Sequence, residues 1–291
     1  MRYGFIRDNA NQYPVTLLCQ ALKVCRSGYY SWRRFPESKR SQENNQLLIK
    51  IKDVYTMSQN TYGSPRIYAF LRQQGETYGK HRITRLMRIN GIAAKHKRRY
   101  RATTNSNHAM PVAVNVLNRE FAITELNRVW VNDITYIPTS EGWLYLAVVM
   151  DLASRRVVGW SMSSRIDHTL ACDALINALQ RRQPGKGLIH HSDRGIQYAS
   201  ADYQKILAEY GLIPSMSRKG NCWDNAPMES FFHSLKVEWL HEYQFQTRDE
   251  ARQAIFIFIE TWYNRQRLHS GLGYLSPDMY ERMMIPNQSV Y

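Results

Sequence analysis

The sequence predicts an α/β protein, a mixed five-stranded sheet with flanking helices, preceded by short basic helices of helix-turn-helix type. Three observations carry that expectation. From residue 126 the apolar pattern runs strand, strand, strand, helix, strand, helix, strand, helix. Upstream of residue 101 the periodicity is helical throughout, and the charge divides at the same place. Residues 1–101 hold 21 Lys+Arg against 5 Asp+Glu, whereas residues 102–291 hold 18 against 19. So one-sided a split points to a nucleic-acid-binding module joined to a separate functional domain. A basic surface kept for solubility would not divide so sharply.

Composition excludes several classes. With 291 residues and 44% hydrophobic content, the chain can bury one sizeable core plus one or two small modules. The longest apolar run, Trp143 to Met150, suits a buried strand rather than a membrane span. The opening MRYGFIRDNA has no apolar core followed by a cleavage site. The four cysteines show neither zinc-ligand spacing nor a disulfide framework, which fits a reduced, cytoplasmic setting.

In chain order, Leu17, Leu18, Ala21 and Leu22 mark one helix, and SGYYSWRR a second with Ser27 as its cap. These belong to an N-terminal helix-turn-helix-like segment, 1–41. A second unit, 42–101, opens on the apolar face of Leu47, Leu48, Ile51, Val54 and Tyr55. Ser64 and Pro65 then read as a cap and first helical position, with Gly75 closing that helix. A third helix runs from Lys80 to Asn90. Ile83, Leu86 and Met87 form its inner face, and Lys80, Arg82, Arg85 and Arg88 the other. A basic last helix suits a reader of the DNA major groove. Behind it, KHKRRYR supplies Lys95, Lys97, Arg98, Arg99 and Arg101 for phosphate contacts. Residues 102–122 read as a linker, and 123–285 as the core with its C-terminal helices.

Within the core, RVWVNDITYIPT, WLYLAVVMDLAS and RRVVGWSMSS read as three antiparallel strands. His168 to Arg182 is an amphipathic helix; GLIHHSD and LIPSMS are short strands, separated by a helix from Ala201 to Tyr210. Two further helices, Ala226–Leu240 and Arg248–Gln266, complete the core. Three acids stand out. Asp133 interrupts an apolar strand, Asp193 ends one, and Glu229 sits in the first turns of a helix opened by Asn225 and Pro227. An acid inside a strand costs free energy unless a cation compensates it. Hard divalent cations prefer carboxylate oxygens, and phosphodiester chemistry uses them in pairs. Asp151 and Asp224 have plainer readings, the first closing a strand and the second capping the Glu229 helix. His190 and His191 lack partners for a zinc site; one of them orients the site or touches DNA. The stripe Phe256, Phe258, Trp262 and Tyr263 reads as packing.

WVNDITYI, HHSDRGIQY and DNAPMESFFHSLKVE resemble the three signature blocks of retroviral-integrase-like (DDE) transposases. Asp193 and Glu229 have thirty-five residues between them, and Lys236 follows Glu229 by seven. YNRQRLHSGLGYLSP and two upstream helical segments resemble further parts of the second-reading-frame (OrfB) products of bacterial insertion sequences. The resemblance implies a ribonuclease-H-like fold and a catalytic, metal-binding role for Asp133, Asp193 and Glu229. It implies Mg²⁺, with Mn²⁺ as a substitute, and places Lys236 on the DNA end. It further implies hydrolysis that frees a 3′-hydroxyl at the element end, then attack by that hydroxyl on another phosphodiester. Duplex DNA ends and target DNA are the implied substrates, with a homo-oligomer on DNA in the nucleoid, and an upstream-frame protein or frameshift fusion as partner. Two alternatives stand beside this reading: a non-catalytic DNA-binding regulator of transposition, and a nuclease acting on RNA–DNA hybrids.

Overall fold

The computed structural model describes residues 2–34, 38–94, 112–218 and 222–285. Its centre is one five-stranded sheet in the order β3-β2-β1-β4-β5, from β1 (Val129–Thr139), β2 (Gly142–Asp151), β3 (Val157–Ser163), β4 (Ile189–Ser192) and β5 (Ile213–Met216). The first three strands are antiparallel neighbours; β4 pairs parallel to β1, and β5 parallel to β4. This is the mixed sheet that the pattern predicts. The PTSEG turn is as expected, and it closes on Gly142 at φ +104°, where a side chain would be strained.

Both faces of the sheet are covered, which explains why β2 is apolar in every direction. Ala147 and Val149 face α7 (His168–Arg182) and α8 (Ala201–Glu209), while Leu144, Leu146, Val148 and Met150 face the other layer. That layer contains α9 (Ala226–Ser234) and α10 (Arg248–Phe256). The sequence predicts each as part of one longer helix. Instead α9 passes into a π-helical turn at Leu235–Trp239, and α10 into another at Ile257–Tyr263. Such turns shift the outward face by inserting a residue, and they occur often at functional sites. The chain continues to α11 (Pro277–Met284).

Upstream, α4 (Lys39–Met57), α5 (Ser64–Gln73) and α6 (Lys80–Ile89) form the expected three-helix unit. Ser38, not a residue inside it, caps α4, and Gly63 occupies the cap position of α5 with Ser64 already helical. The unit is not a separate bead. Leu47, Ile51, Ile67, Ile83 and Met87 are continuous with the apolar layer beneath the sheet. The Tyr62 hydroxyl accepts a hydrogen bond from the Leu268 amide at 2.8 Å, and Gln73 Nε2 donates to the Tyr274 carbonyl at 2.8 Å. The first helices have a small core of their own, Ile6, Leu18, Cys19 and Tyr29. They number three among the described residues: α1 (Arg2–Asn9), α2 (Val15–Ala21) and α3 (Arg26–Arg34). Ser27 lies inside α3 and does not cap it. Residues 112–122, read as linker, lie along β5: the amides of Val116 and Leu117 donate to Ser215 Oγ at 3.0 and 3.2 Å. No described helix is long and apolar enough to cross a membrane.

Candidate active site

The site begins with a strand register. β1 and β4 pair over only three positions, the last being Val131 with His191. Asp133 lies two residues beyond Val131, and Asp193 two beyond His191, so the same register carries them side by side. Adjacent strands lie about 4.8 Å apart. β1 continues past this point because β2 pairs with it up to Thr139, whereas β4 stops. Asp193 therefore stands just past the carboxyl end of β4, beside Asp133 on the stretch of β1 that β4 leaves unpaired, the kind of crevice where α/β sheets build their sites. Gly195 turns the chain immediately after. Its amide donates to Asp193 Oδ1 at 2.8 Å, and a Cβ there would fall 2.9 Å from the same oxygen. Asp133 Oδ1 accepts from the Ile134 amide at 2.8 Å.

Electrostatics confirm the proximity. Burial, then the neighbouring Asp193, holds the Asp133 carboxyl well above the usual range; Glu229 adds to this, while the Ile134 amide and Lys236 oppose it. Burial also raises Glu229. Lys236 is drawn down to about 8 by burial, against the attraction of Asp133. Its Nζ stands 4.8 Å from the centre of the Tyr136 ring. The structure thus brings Asp133, Asp193, Glu229 and Lys236 into one electrostatic neighbourhood. Among the described residues, however, no three His, Cys, Asp or Glu converge as a ready cage for one metal ion. The arrangement is an open one: Asp133 and Asp193 as neighbours, with Glu229 on α9 close enough to act on Asp133. Phe231, Phe232 and Leu235 bury that helix's packing face as the sequence predicts, with Trp239 half-buried.

Several neighbours differ from expectation. Asp224 is not a cap. It is fully buried in a short 3-10 turn, where Arg218 grips it with Nη2 at 2.8 Å and Nε at 2.9 Å, and Arg119 Nε binds it at 2.7 Å. These guanidinium hydrogen bonds hold its carboxyl far below the usual range. Both histidines are core residues rather than surface ones. His190 Nε2 lies 2.5 Å from Asn132 Nδ2 and 2.6 Å from the Tyr203 hydroxyl; His191 bonds Ser215 and Ser217. Burial depresses them to about 3 and about 4, so both are neutral. Tyr198, fully buried and close enough to feel both aspartates, is a neighbour that sequence reasoning misses; a tyrosine beyond a strand end carries no distinguishing pattern. The aromatic stripe is packing at Phe258, Trp262 and Tyr263, but Phe256 is exposed.

On α6, Lys80, Arg85 and Arg88 are exposed. Arg82 is committed internally: its Nε donates to Asn44 Oδ1 at 2.8 Å, its Nη2 meets Glu43 Oε2 at 3.0 Å, and it lies over the Tyr78 ring. Lys95, Lys97, Arg98, Arg99 and Arg101 fall outside the described residues.

Comparison with known proteins covers nearly the whole chain. Residues 124–222 match the family model "Integrase core domain", residues 210–277 match a second model of that description, and residues 42–100 match "HTH-like domain". The chain is 44% identical to transposase InsF of insertion sequence IS3A from Escherichia coli (strain K12) over 283 residues, 97% of this chain and 98% of that protein. It is 48% identical to an uncharacterized 31 kDa protein of insertion element IS600 from Shigella sonnei over 260 residues, 89% of this chain and 96% of that one. Among solved structures, a chain in the simian T-cell lymphotropic virus intasome complexed with PP2A regulatory subunit B56 gamma aligns at a TM-score of 0.47 and 16% identity, covering 82% of this chain and 76% of that one.

Proposed function

We propose, from the premise that this chain belongs to the IS3 family of bacterial insertion-sequence transposases, that Asp133, Asp193 and Glu229 carry metal-dependent DNA cleavage and strand transfer at the element's ends. The observation that carries the assignment is the β1–β4 register, which ends at Val131–His191, two residues before Asp133 and Asp193 alike. The donor set fits a hard divalent cation, because the three acids offer carboxylate oxygens. The high Asp133 pKa points the same way: burial and like charge penalise its anion, and a cation would reverse that penalty. Asp133, whose carboxyl feels both other acids, would hold the cation together with Asp193 and Glu229. A bound pair of Mg²⁺ ions, with Mn²⁺ as a substitute, would activate the attacking oxygen and stabilise the leaving one.

The chain's own residues do the rest. Lys236 places positive charge beside Asp133, suited to holding a phosphate of the DNA end next to the reacting atoms. The Tyr136 ring beneath its ammonium restricts where that charge can go. On α6, Lys80, Arg85 and Arg88 present an exposed basic face to duplex DNA. Arg82, spent on α4, supports that face from behind. The KHKRRYR segment, with Lys95, Lys97, Arg98, Arg99 and Arg101, adds phosphate contacts. A homo-oligomer holding both ends, with or without the upstream-frame protein, is the working assembly.

The test is strand transfer by the full chain on a labelled duplex that carries an element end. Joined products should form with Mg²⁺ and vanish with EDTA, while an RNA–DNA hybrid stays intact. Selective cleavage of the hybrid would replace this reading with a ribonuclease. In a binding titration on the same duplex at varied salt, Arg85→Ala and Arg88→Ala should each lower the salt slope by about 1. Arg82→Ala should chiefly lower the melting temperature.

A further inference from the structure

Glu229 acts on Asp133 from α9, a separate element, so something must fix that helix against β1. A helix alone cannot do it. The packing face of α9 rests on apolar side chains, and dispersion contacts have little directional preference. Polar contacts at its N-terminus do have direction. Asn225 immediately precedes α9 and is 5% exposed. Its side chain makes no cap hydrogen bond to the helix. Instead Nδ2 donates to the carbonyl oxygen of Asn132 at 3.1 Å, the residue before Asp133 on β1. Residues four apart share a helix face. Asn225 thus touches β1 at Asn132, and Glu229, four residues on, acts electrostatically on Asp133, the next residue of that strand.

The residue before it is anchored from the opposite direction. Asp224, buried, takes two hydrogen bonds from the Arg218 guanidinium and a third from the Arg218 amide at 2.9 Å, so the end of β5 is tied to it. From the segment joining the helical unit to the core, Arg119 Nε reaches the same carboxylate at 2.7 Å and Asn115 Nδ2 at 3.1 Å. That segment is itself fixed to β5 through Ser215. Two consecutive side chains thus fasten the start of α9 to three separate pieces of backbone.

We propose that Asp224 and Asn225 form a two-sided clamp that positions Glu229 over Asp133, with Arg119 and Asn115 closing it from the inter-domain segment. This rests on the reading of Glu229 as a metal ligand. Asn225 and Asp224 are positioning residues: neither needs to touch DNA or metal. Losing a residue that orients a ligand typically costs about 10–100-fold in metal affinity or activity.

The full chain is titrated with Mn²⁺ alone, and free ion is followed by electron paramagnetic resonance, for wild type, Asn225→Ala, Arg119→Ala and Glu229→Gln. Strand-transfer kinetics and melting without metal are recorded in parallel. Asn225→Ala and Arg119→Ala are expected to raise the Mn²⁺ concentration at half saturation about 10–100-fold. They should lower kcat at fixed Mn²⁺ and leave KM for end DNA unchanged. Wild-type Mn²⁺ binding in a cooperatively melting Asn225→Ala would overturn the clamp. Should Asn225→Ala fail to fold, Arg119→Ala decides alone, because its side chain is 41% exposed and its loss opens no core cavity. If Glu229→Gln itself binds Mn²⁺ as wild type does, the ligand assignment falls. If Glu229→Gln is impaired while both clamp variants are normal, only the clamp falls.

Discussion

Asp133→Asn is expected to leave DNA binding intact and to remove strand transfer almost completely. A metal ion at a phosphoryl centre supplies several kcal/mol of transition-state stabilisation, which corresponds to roughly a hundred- to ten-thousandfold in rate. The same substitution should stabilise the fold when EDTA is present. The sign follows from linkage. The Asp133 carboxyl has a folded pKa above its unfolded value, so ionisation at neutral pH costs the native state. That cost sets in as pH rises above the unfolded value of about 3.9, and asparagine does not incur it. The melting temperature of Asp133→Asn in EDTA should therefore exceed wild type at pH 7 and approach it toward pH 4. Retained strand transfer in this variant would remove Asp133 from the site.

Arg267→Ala is expected to be the most damaging single change outside the site. Arg267 is buried and grips Glu238 with two hydrogen bonds of 2.7 Å each, while its Nη2 also donates to Ser234 Oγ at 2.9 Å. Glu238 lies in the π-helical turn after α9 and stands 3.6 Å from Arg66 of α5. The pair thus joins the π-helical turn after α9, the C-terminal segment and the helical unit. Breaking a buried pair from one side costs about 3–5 kcal/mol, because the remaining charge is left uncompensated. For a chain of this size that is a fall in melting temperature on the order of 10 °C. The double variant Arg267→Met with Glu238→Leu should recover part of the loss, since it leaves no unpaired charge between them. A single variant melting within a degree of wild type would contradict the assignment of this pair as the junction.

The helices of the core were legible because their signals are local. His168 to Arg182 matches α7 at both ends, with Asp167 as its cap and Leu170, Ala174, Leu175, Ala178 and Leu179 buried. The sheet's strands were legible for the same reason, alternation or unbroken apolarity ending in turn residues. α1 was not, since RYGFIRDN has almost no apolar periodicity and only Ile6 is buried. The π turns were hidden because the apolar spacing that predicts a helix does not record one inserted residue. What the sequence conceals most is pairing between distant segments. Arg82 looks like its neighbours Arg85 and Arg88, and only the approach of Glu43 and Asn44 sets it apart. Asp224 has the position of a cap, and only Arg119, a hundred residues upstream, and Arg218 reveal an anchor. The three candidate acids stood out as a set, through their residue types and their resemblance to a family. Their mutual geometry was not legible, because it depends on a parallel register between strands sixty residues apart.

The most direct measurement on the central claim is a metal-preference switch at Asp193. In Asp193→Cys a thiolate replaces one carboxylate oxygen donor. Thiolate is a soft ligand that suits Mg²⁺ poorly and is accepted better by Mn²⁺. Strand transfer by Asp193→Cys on an end duplex should be lost in Mg²⁺ and regained in large part in Mn²⁺, while wild type works in both. Circular dichroism confirms that the variant is folded. A folded Asp193→Cys whose activity is the same with either ion would contradict the account, because Asp193 would then not be holding the metal.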